Sequence, residues 1–308
     1  MAEPKLRIAM IAPLSLPVPP PLYGGTERVV HTLTEELVRR GHDVTLFASG
    51  GSRTSARLRQ GSPRPLWELP PGDRSALSLL QVEDVVRCSG DFDVLHSHVE
   101  ALPWLAGERI RAPLITTLHG RLDLPIIRPL FAAYRDRALV SISHAQRAPL
   151  RDLDLNWLAT IYHGIDLEGF PLGRGDGGYV AFLGRISPEK DPAAAIRVAI
   201  RSGVPLRMAA RVDPEDQPYF SREVGPYLDH PLVTWLGELD DRGKADLLAS
   251  ARALLMPIDW PEPFGLVVIE ALACGTASMA ASSRPRMRWS VRLPRSTGST
   301  ARPVGRTP

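Results

Sequence analysis

Two stretches in the second half of this 308-residue chain gather residue types that suit an anion. In the first, an apolar run at Tyr179–Leu183 leads into Gly184-Arg185-Ile186-Ser187-Pro188-Glu189-Lys190. If the run is a strand, Arg185 and Lys190 sit on the loop at its carboxyl end, where open α/β sheets bind ligands. Two cations there suit a diphosphate, and an arginine makes paired charge-assisted hydrogen bonds. On spacing alone, two surface charges on a solvated loop are the alternative. The second stretch is Asp259-Trp260-Pro261-Glu262-Pro263-Phe264-Gly265-Leu266-Val267-Val268-Ile269-Glu270-Ala271. Pro261 and Pro263 stiffen the loop, and Gly265 frees the backbone where a helix begins. The N–H groups of Phe264, Gly265 and Leu266 can then face an anion. Glu270 falls inside an otherwise apolar helical run, so its carboxylate needs a partner. The two hydroxyls of a ribose are one such partner, and a salt bridge on a helix surface is the alternative.

The first half holds weaker signals. Gly24 and Gly25 end a loop that follows the apolar run Leu6–Ala12 and precede a helix. Glycines there let a backbone approach a ligand, although a plain tight turn explains them equally. No G-x-G-x-x-G is present, which disfavours a dinucleotide enzyme. His119, in Thr117-Leu118-His119-Gly120, stands at the end of a predicted strand. His96 and His98 in His96-Ser97-His98 could ligate a metal, but they are expected to point apart, and structural or acceptor-side roles are the stronger expectation. Asp91-Phe92-Asp93 reads as a helix-to-strand turn rather than as a metal-binding D-x-D. Trp104, Trp157, Trp235 and Trp260 read as core or cleft lining.

These residues need a scaffold of alternating strands and helices. Predicted strands are Leu6–Ala12, Asp43–Phe47, Val94–His96, Leu114–Leu118, Ala138–Ile142 and Thr160–Tyr162, then Tyr179–Leu183, Leu206–Ala210, Val233–Leu236 and Ala253–Met256. Glu27–Arg40 reads as a helix capped by Thr26 and ended by Gly41. Further helices are predicted at Pro192–Ser202, Asp216–Leu228, Asp241–Ser250 and Gly265–Ala273. Gly50–Gly72, rich in Gly, Ser, Arg and Pro, reads as a long loop. The predicted organisation is α/β: a doubly wound, Rossmann-like domain over 1–166, a Gly-rich linker at 167–178, and a second over 179–276, with a cleft between them.

Composition narrows the class. Hydrophobic residues make up 44% and charged residues 23%, as in an ordinary globular protein. No apolar run is long enough to span a membrane, and none resembles a secretory leader. Cys88 and Cys274 form neither a metal pattern nor a disulfide framework, so a cytoplasmic protein with reduced thiols is expected. The net charge of +3 is unevenly spread. Residues 277–308 hold seven arginines and no acidic residue, which leaves 30 basic and 34 acidic residues before them, a net of −4. The tail suits disorder, or a GC-rich gene read out of frame; an arm for nucleic acid or an anionic membrane is the lesser alternative.

Glu262 and Glu270 form an E-x7-E motif. With Gly184-Arg185-Ile186-Ser187-Pro188-Glu189-Lys190, the Gly24-Gly25 loop and Tyr162-His163-Gly164-Ile165-Asp166, the chain resembles the family 4 retaining glycosyltransferases over about residues 6–276. The resemblance implies the GT-B fold and a nucleoside-diphosphate sugar as co-substrate, with no metal or other cofactor. Its sugar would pass with retained configuration to the hydroxyl of a glycan, lipid or small-molecule acceptor. It implies that Arg185 and Lys190 neutralise the diphosphate, Glu270 holds the ribose and Glu262 the transferred sugar. Phe264, Gly265 and Leu266 would assist through their N–H groups, Gly24 and Gly25 would approach the phosphates or acceptor, and His119 would stand near the reactive centre. Nucleic acid is not an expected partner; peripheral membrane contact is compatible. After Thr276 the resemblance is expected to break off into non-native sequence, leaving the second domain incomplete and the activity weak. A nucleotide-binding remnant without catalysis, or a related epimerase or phosphorylase, are the competing readings.

Overall fold

Alternating apolar runs along the chain become parallel strands, and the amphipathic stretches between them become the helices that cover both sheet faces. A computed structural model describes residues 4–70 and 74–280. In the first half the elements are β1 (Arg7–Ile11), α1 (Gly25–Arg39), β2 (Asp43–Ser49), β3 (Arg57–Ser62), α2 (Ser75–Cys88), β4 (Val94–Ser97), β5 (Leu114–Leu118), α3 (Arg128–Ala133), β6 (Ala138–Ser141), α4 (His144–Arg147) and β7 (Trp157–Thr160). The seven strands form one parallel sheet in the order β3-β2-β1-β4-β5-β6-β7. The two-residue period of β1 divides its side chains between two cores. Ile8 and Met10 pack with Val30 of α1, whereas Ala9 and Ile11 pack with Val85 of α2.

The second half runs β8 (Val180–Ile186), α5 (Pro192–Ser202), β9 (Leu206–Val212), α6 (Gln217–Tyr219), β10 (Val233–Gly237), α7 (Asp241–Ser250), β11 (Ala253–Met256), α8 (Leu266–Ala273) and β12 (Ala277–Ala280). Its parallel sheet has the order β10-β9-β8-β11-β12. One face is covered by Ala195, Ile196 and Ala199 of α5, the other by Leu247 and Leu248 of α7 and Ala271 of α8. The described architecture is two doubly wound α/β sheets, the GT-B arrangement.

Strand order matters more than strand count for function. In each sheet the chain reverses its direction of progress once, between β1 and β4 in the first and between β8 and β11 in the second. Loops leaving the carboxyl ends of strands at such a point diverge and leave a crevice. The segments at and after the carboxyl ends of β1, β8 and β11 carry Gly24 and Gly25, then Arg185 and Lys190, then Glu262 with Glu270 in the helix that follows.

Four expectations change. Gly50–Gly72 contains β3, whose polar sequence Arg-Leu-Arg-Gln-Gly-Ser shows no apolar run. As an edge strand it needs pairing on one side only, and Leu58 alone packs into the core. Thr26 caps nothing: α1 begins at Gly25, with Gly24 before it at φ 153°. The helix expected over 216–228 is broken into short turns, since Pro218 and Pro226 lack the N–H that a continuous helix requires. The tail expected from Ala277 starts later. Ala277–Ala280 pairs in register with Ala253–Met256, which gives the backbone of β11 partners on its outer side. The rest of that tail, 281–308, lies outside the described residues.

Candidate active site

A cleft of about 430 Å³ opens between the two sheets. Its walls come from the loop after β1 and the start of α1, from the ends of β8 and β9, and from the loop that joins β11 to α8. Every residue singled out in the sequence as a candidate lines it: Gly24, Gly25 and His119 from the first half, and Arg185, Lys190, Glu262, Phe264, Gly265, Leu266 and Glu270 from the second.

Local backbone chemistry explains the placement. Pro188–Lys190 forms a single 3₁₀ turn after β8, closed by Asp191, whose carboxylate caps α5 at the Ala194 N–H at 3.0 Å. The Asp259 N–H donates to the Glu189 carbonyl at 3.0 Å, tying this turn to the loop that carries Glu262. Gly265 adopts φ 83° ahead of α8, a left-handed conformation that a side chain would strain. Gly24 has little room for any other residue: a Cβ there would stand 2.7 Å from Pro20 Cγ. A Cβ on Gly25 would lie 3.2 Å from Leu266 Cδ1, so the first glycine loop and the start of α8 abut across the cleft.

The charged groups are paired before any ligand arrives. Arg185 lies within the end of β8 rather than in the following loop, beside Arg211 of β9. Two adjacent guanidiniums need counter-charge, and three carboxylates supply it. Arg185 contacts Glu189 at 2.5 Å, Asp213 at 3.5 Å and Asp216 at 3.8 Å, while Arg211 Nε donates to Asp213 at 2.6 Å. Burial alone lowers the Arg185 pKa, but the hydrogen bond and charge of Glu189 outweigh it, so the guanidinium stays firmly charged. Lys190 Nζ is ion-paired with Glu262 and lies 5.1 Å from the centre of the Trp260 ring. Glu270, buried in α8, accepts from Lys244 Nζ at 2.9 Å.

Lys244 is the main omission of the sequence reading. It belongs to α7 and shares a stripe with Leu247 and Leu248, so a lysine on the apolar face of a predicted helix was the available signal. Glu27 is similar: it is buried on the α1 face with Val30 and Thr34, and burial pushes its carboxyl pKa up. Trp67 comes from a turn within the expected loop, and the Arg211 guanidinium lies 3.5 Å from its ring centre. Phe264 contacts the first half through His163 and Tyr162, with ring centres 4.9 and 6.1 Å away.

The histidines also differ from expectation. His96 and His98 do not diverge; their ring centres are 4.3 Å apart. Residues two apart along an extended chain lie on the same face, so the continuation of β4, which ends at Ser97, brings the two rings together instead of separating them. His96 Nε2 meets Thr117 Oγ1 at 2.8 Å, and His98 Nδ1 meets His119 Nε2 at 2.8 Å. His119 stacks on His163 at 5.2 Å. Burial holds His96 and His163 down to about 4, and burial together with the charge of His163 and His96 holds His119 down to about 3. All three rings are therefore neutral near pH 7.

The sequence itself matches known proteins on both sides of the cleft. Residues 23–168 match the model of Glycosyltransferase Family 4, and residues 170–288 match Glycosyl transferases group 1. The phosphatidyl-myo-inositol mannosyltransferase of Mycobacterium tuberculosis is 30% identical, over 89% of this chain and 77% of that protein. The chain belongs to glycosyltransferase family 4. The second match carries this glycosyltransferase's resemblance beyond Thr276, to residue 288. A D-inositol 3-phosphate glycosyltransferase of Mycolicibacterium smegmatis is 26% identical over 84% of this chain and 71% of its own length. Among solved structures, AviGT4, a glycosyltransferase involved in avilamycin A biosynthesis, superposes with a TM-score of 0.65 at 24% identity, over 89% of this chain and 78% of its own. Sucrose-phosphate synthase from Thermosynechococcus elongatus gives 0.73 at 19%, over 90% and 81%. No helix of the glycosyltransferase, among the described residues, is long and apolar enough to cross a membrane.

Proposed function

We propose that this chain transfers a hexosyl group from a nucleoside-diphosphate sugar to an acceptor hydroxyl, with retention at the anomeric carbon and without a metal. The observation that carries the reading is the convergence of Arg185, Lys190, Glu262 and Glu270 on one cleft at the switch point of the second sheet. Cations and carboxylates spread over 85 positions of sequence line one cleft there, which suits a ligand that carries both charge and hydroxyls.

The roles follow from the pairings. A diphosphate entering the cleft replaces a carboxylate as the partner of Lys190, and Glu262 is thereby released to accept from hydroxyls of the sugar. Arg185 keeps its cation beside the phosphates. Glu270 has one oxygen engaged by Lys244, and its other oxygen accepts from the ribose. The backbone at Phe264–Leu266 adds N–H groups at the start of α8, and Gly24 and Gly25 let the first loop close on the phosphates or the acceptor. His119 stands beside the reactive carbon. In the reaction the bond from the anomeric carbon to the phosphate oxygen breaks, and the acceptor oxygen bonds to the same face of that carbon. The acceptor proton passes to the departing phosphate. Charge growing on the leaving group is met by fixed cations, the largest single contribution in such sites.

A panel of uridine, guanosine and adenosine diphosphate sugars, assayed with and without chelator, tests this. One nucleoside diphosphate is expected to be released at an undiminished rate in chelator, and NMR of the product should show the donor's anomeric configuration. Inverted product, or turnover abolished by the chelator, overturns the corresponding part of the reading.

A further inference from the structure

His98 touches the site only through another residue. It does not line the cleft, its ring is buried, and its backbone N–H donates to the Ile11 carbonyl at 2.9 Å, anchoring it where β1 and β4 diverge. Its Nδ1 lies 2.8 Å from Nε2 of His119, which does line the cleft. The other nitrogen of His98, Nε2, is buried with no hydrogen-bond partner among the described residues.

That unpartnered atom selects between two arrangements. Burial holds both rings neutral, so one hydrogen is shared between them. If His119 donated from Nε2, His98 would carry its own hydrogen on Nε2, as a buried N–H with no acceptor. Buried N–H groups without an acceptor are the rarer defect in folded proteins. In the reverse arrangement His98 donates from Nδ1 and leaves only a lone pair at Nε2. His119 must then accept at Nε2 and carry its hydrogen on Nδ1.

We propose that His98 is a positioning residue that locks His119 in the Nδ1–H form, so that a neutral imidazole offers a hydrogen-bond donor to the sugar undergoing transfer. His96, tilted over His98 and held by Thr117 Oγ1, and His163, stacked on His119 with 14° between planes, keep the two rings from turning. A neutral donor suits this position. The anomeric carbon gains positive character as its bond to phosphate breaks, and an imidazolium would oppose that charge. The role in transfer rests on the donor reading given above; the tautomer does not.

The test is two-part. In protein labelled with ¹⁵N-histidine, long-range ¹H–¹⁵N correlation at pH 7 is expected to show His119 protonated at Nδ1 and bare at Nε2. In His98→Phe, which keeps ring bulk but cannot donate, that signature should mix with the Nε2–H form. Turnover should fall about 10–100-fold, by analogy with the loss seen when a metal-bound histidine is deprived of its supporting partner. The dissociation constant for nucleoside diphosphate should stay within about twofold, because this contact leaves the diphosphate groups untouched. His98→Gln, which retains an N–H donor, should recover most of the turnover. An Nε2–H His119 in the unmodified protein overturns the proposal whether or not His98→Phe folds. So does His98→Phe with unchanged tautomer and turnover. Absence of transfer from every donor, with His119 still in the Nδ1–H form, counts against the donor reading alone.

Discussion

Replacing Lys244 by methionine removes the cation from an ion pair that faces the cleft while keeping most of the side-chain volume. The side chains of Lys244 and Glu270 are 10% and 8% exposed, and Nζ lies 2.9 Å from Oε1. At that distance and an effective dielectric of ~20, the attraction is about 6 kcal/mol. The desolvation of both ions offsets much of it, so breaking the pair costs about 3–5 kcal/mol, chiefly because the surviving charge is left buried. Asp241 also contacts Lys244, at 3.2 Å, but is 64% exposed and contributes about 1 kcal/mol or less. Lys244→Met should therefore destabilise by about 3 kcal/mol. Replacing both partners, as Lys244→Met with Glu270→Leu, removes the stranded charge and should cost less than the two single changes together by at least about 2 kcal/mol. Urea unfolding followed by tryptophan fluorescence measures all four corners of the cycle. If the double variant equals the sum of the singles within about 0.5 kcal/mol, the two residues act independently and the account of this pair is wrong.

Three further outcomes follow from the same geometry. Arg185→Ala removes charge-assisted hydrogen bonds worth about 1.5–3 kcal/mol, so calorimetry should show nucleoside diphosphate affinity falling about 10–100-fold; unchanged affinity would remove Arg185 from the site. Stability should be level above about pH 6.5, the ordinary histidine pKa, and fall as pH drops towards 4. The unfolded chain takes up protons there, whereas His96, His119 and His163, held down to about 4, 3 and 4, do not. Each such group contributes a slope of about 1.4 kcal/mol per pH unit, and His96→Gln should reduce the measured slope by that amount; an unaltered slope argues that His96 does not titrate in this way. Gly24→Val places a branched side chain where even a Cβ lies 2.7 Å from Pro20 Cγ, at φ 153°. It should weaken nucleotide binding and lower the melting temperature by several degrees, and a variant with wild-type melting and binding would show that the loop repacks freely.

Much of this protein was legible in one dimension. Local apolar periodicity marked most strands within a residue or two, because a parallel strand buried on both faces must be a short continuous apolar run. The cleft-lining residues were legible for a related reason. Proline, glycine and charge at the carboxyl end of a strand mark where an α/β sheet can receive a ligand, but a solvated turn shares that composition, and the family resemblance made the choice. β3 was missed because an edge strand can be polar, and the broken helix after β9 was overcalled because its apolar spacing outweighed its prolines.

What the tertiary structure alone decided is who pairs with whom. Lys190 finds Glu262 across 72 positions, Glu270 finds Lys244 across 26, and His98 reaches His119 across 21. The order of residues specifies that each group lies on a certain loop or helix face. It does not specify which loops the sheet order brings together, because strands β8 and β11, distant in sequence, become neighbours only when the sheet assembles. Charge and tautomer are set by the partners met there, and so they belong to the folded chain.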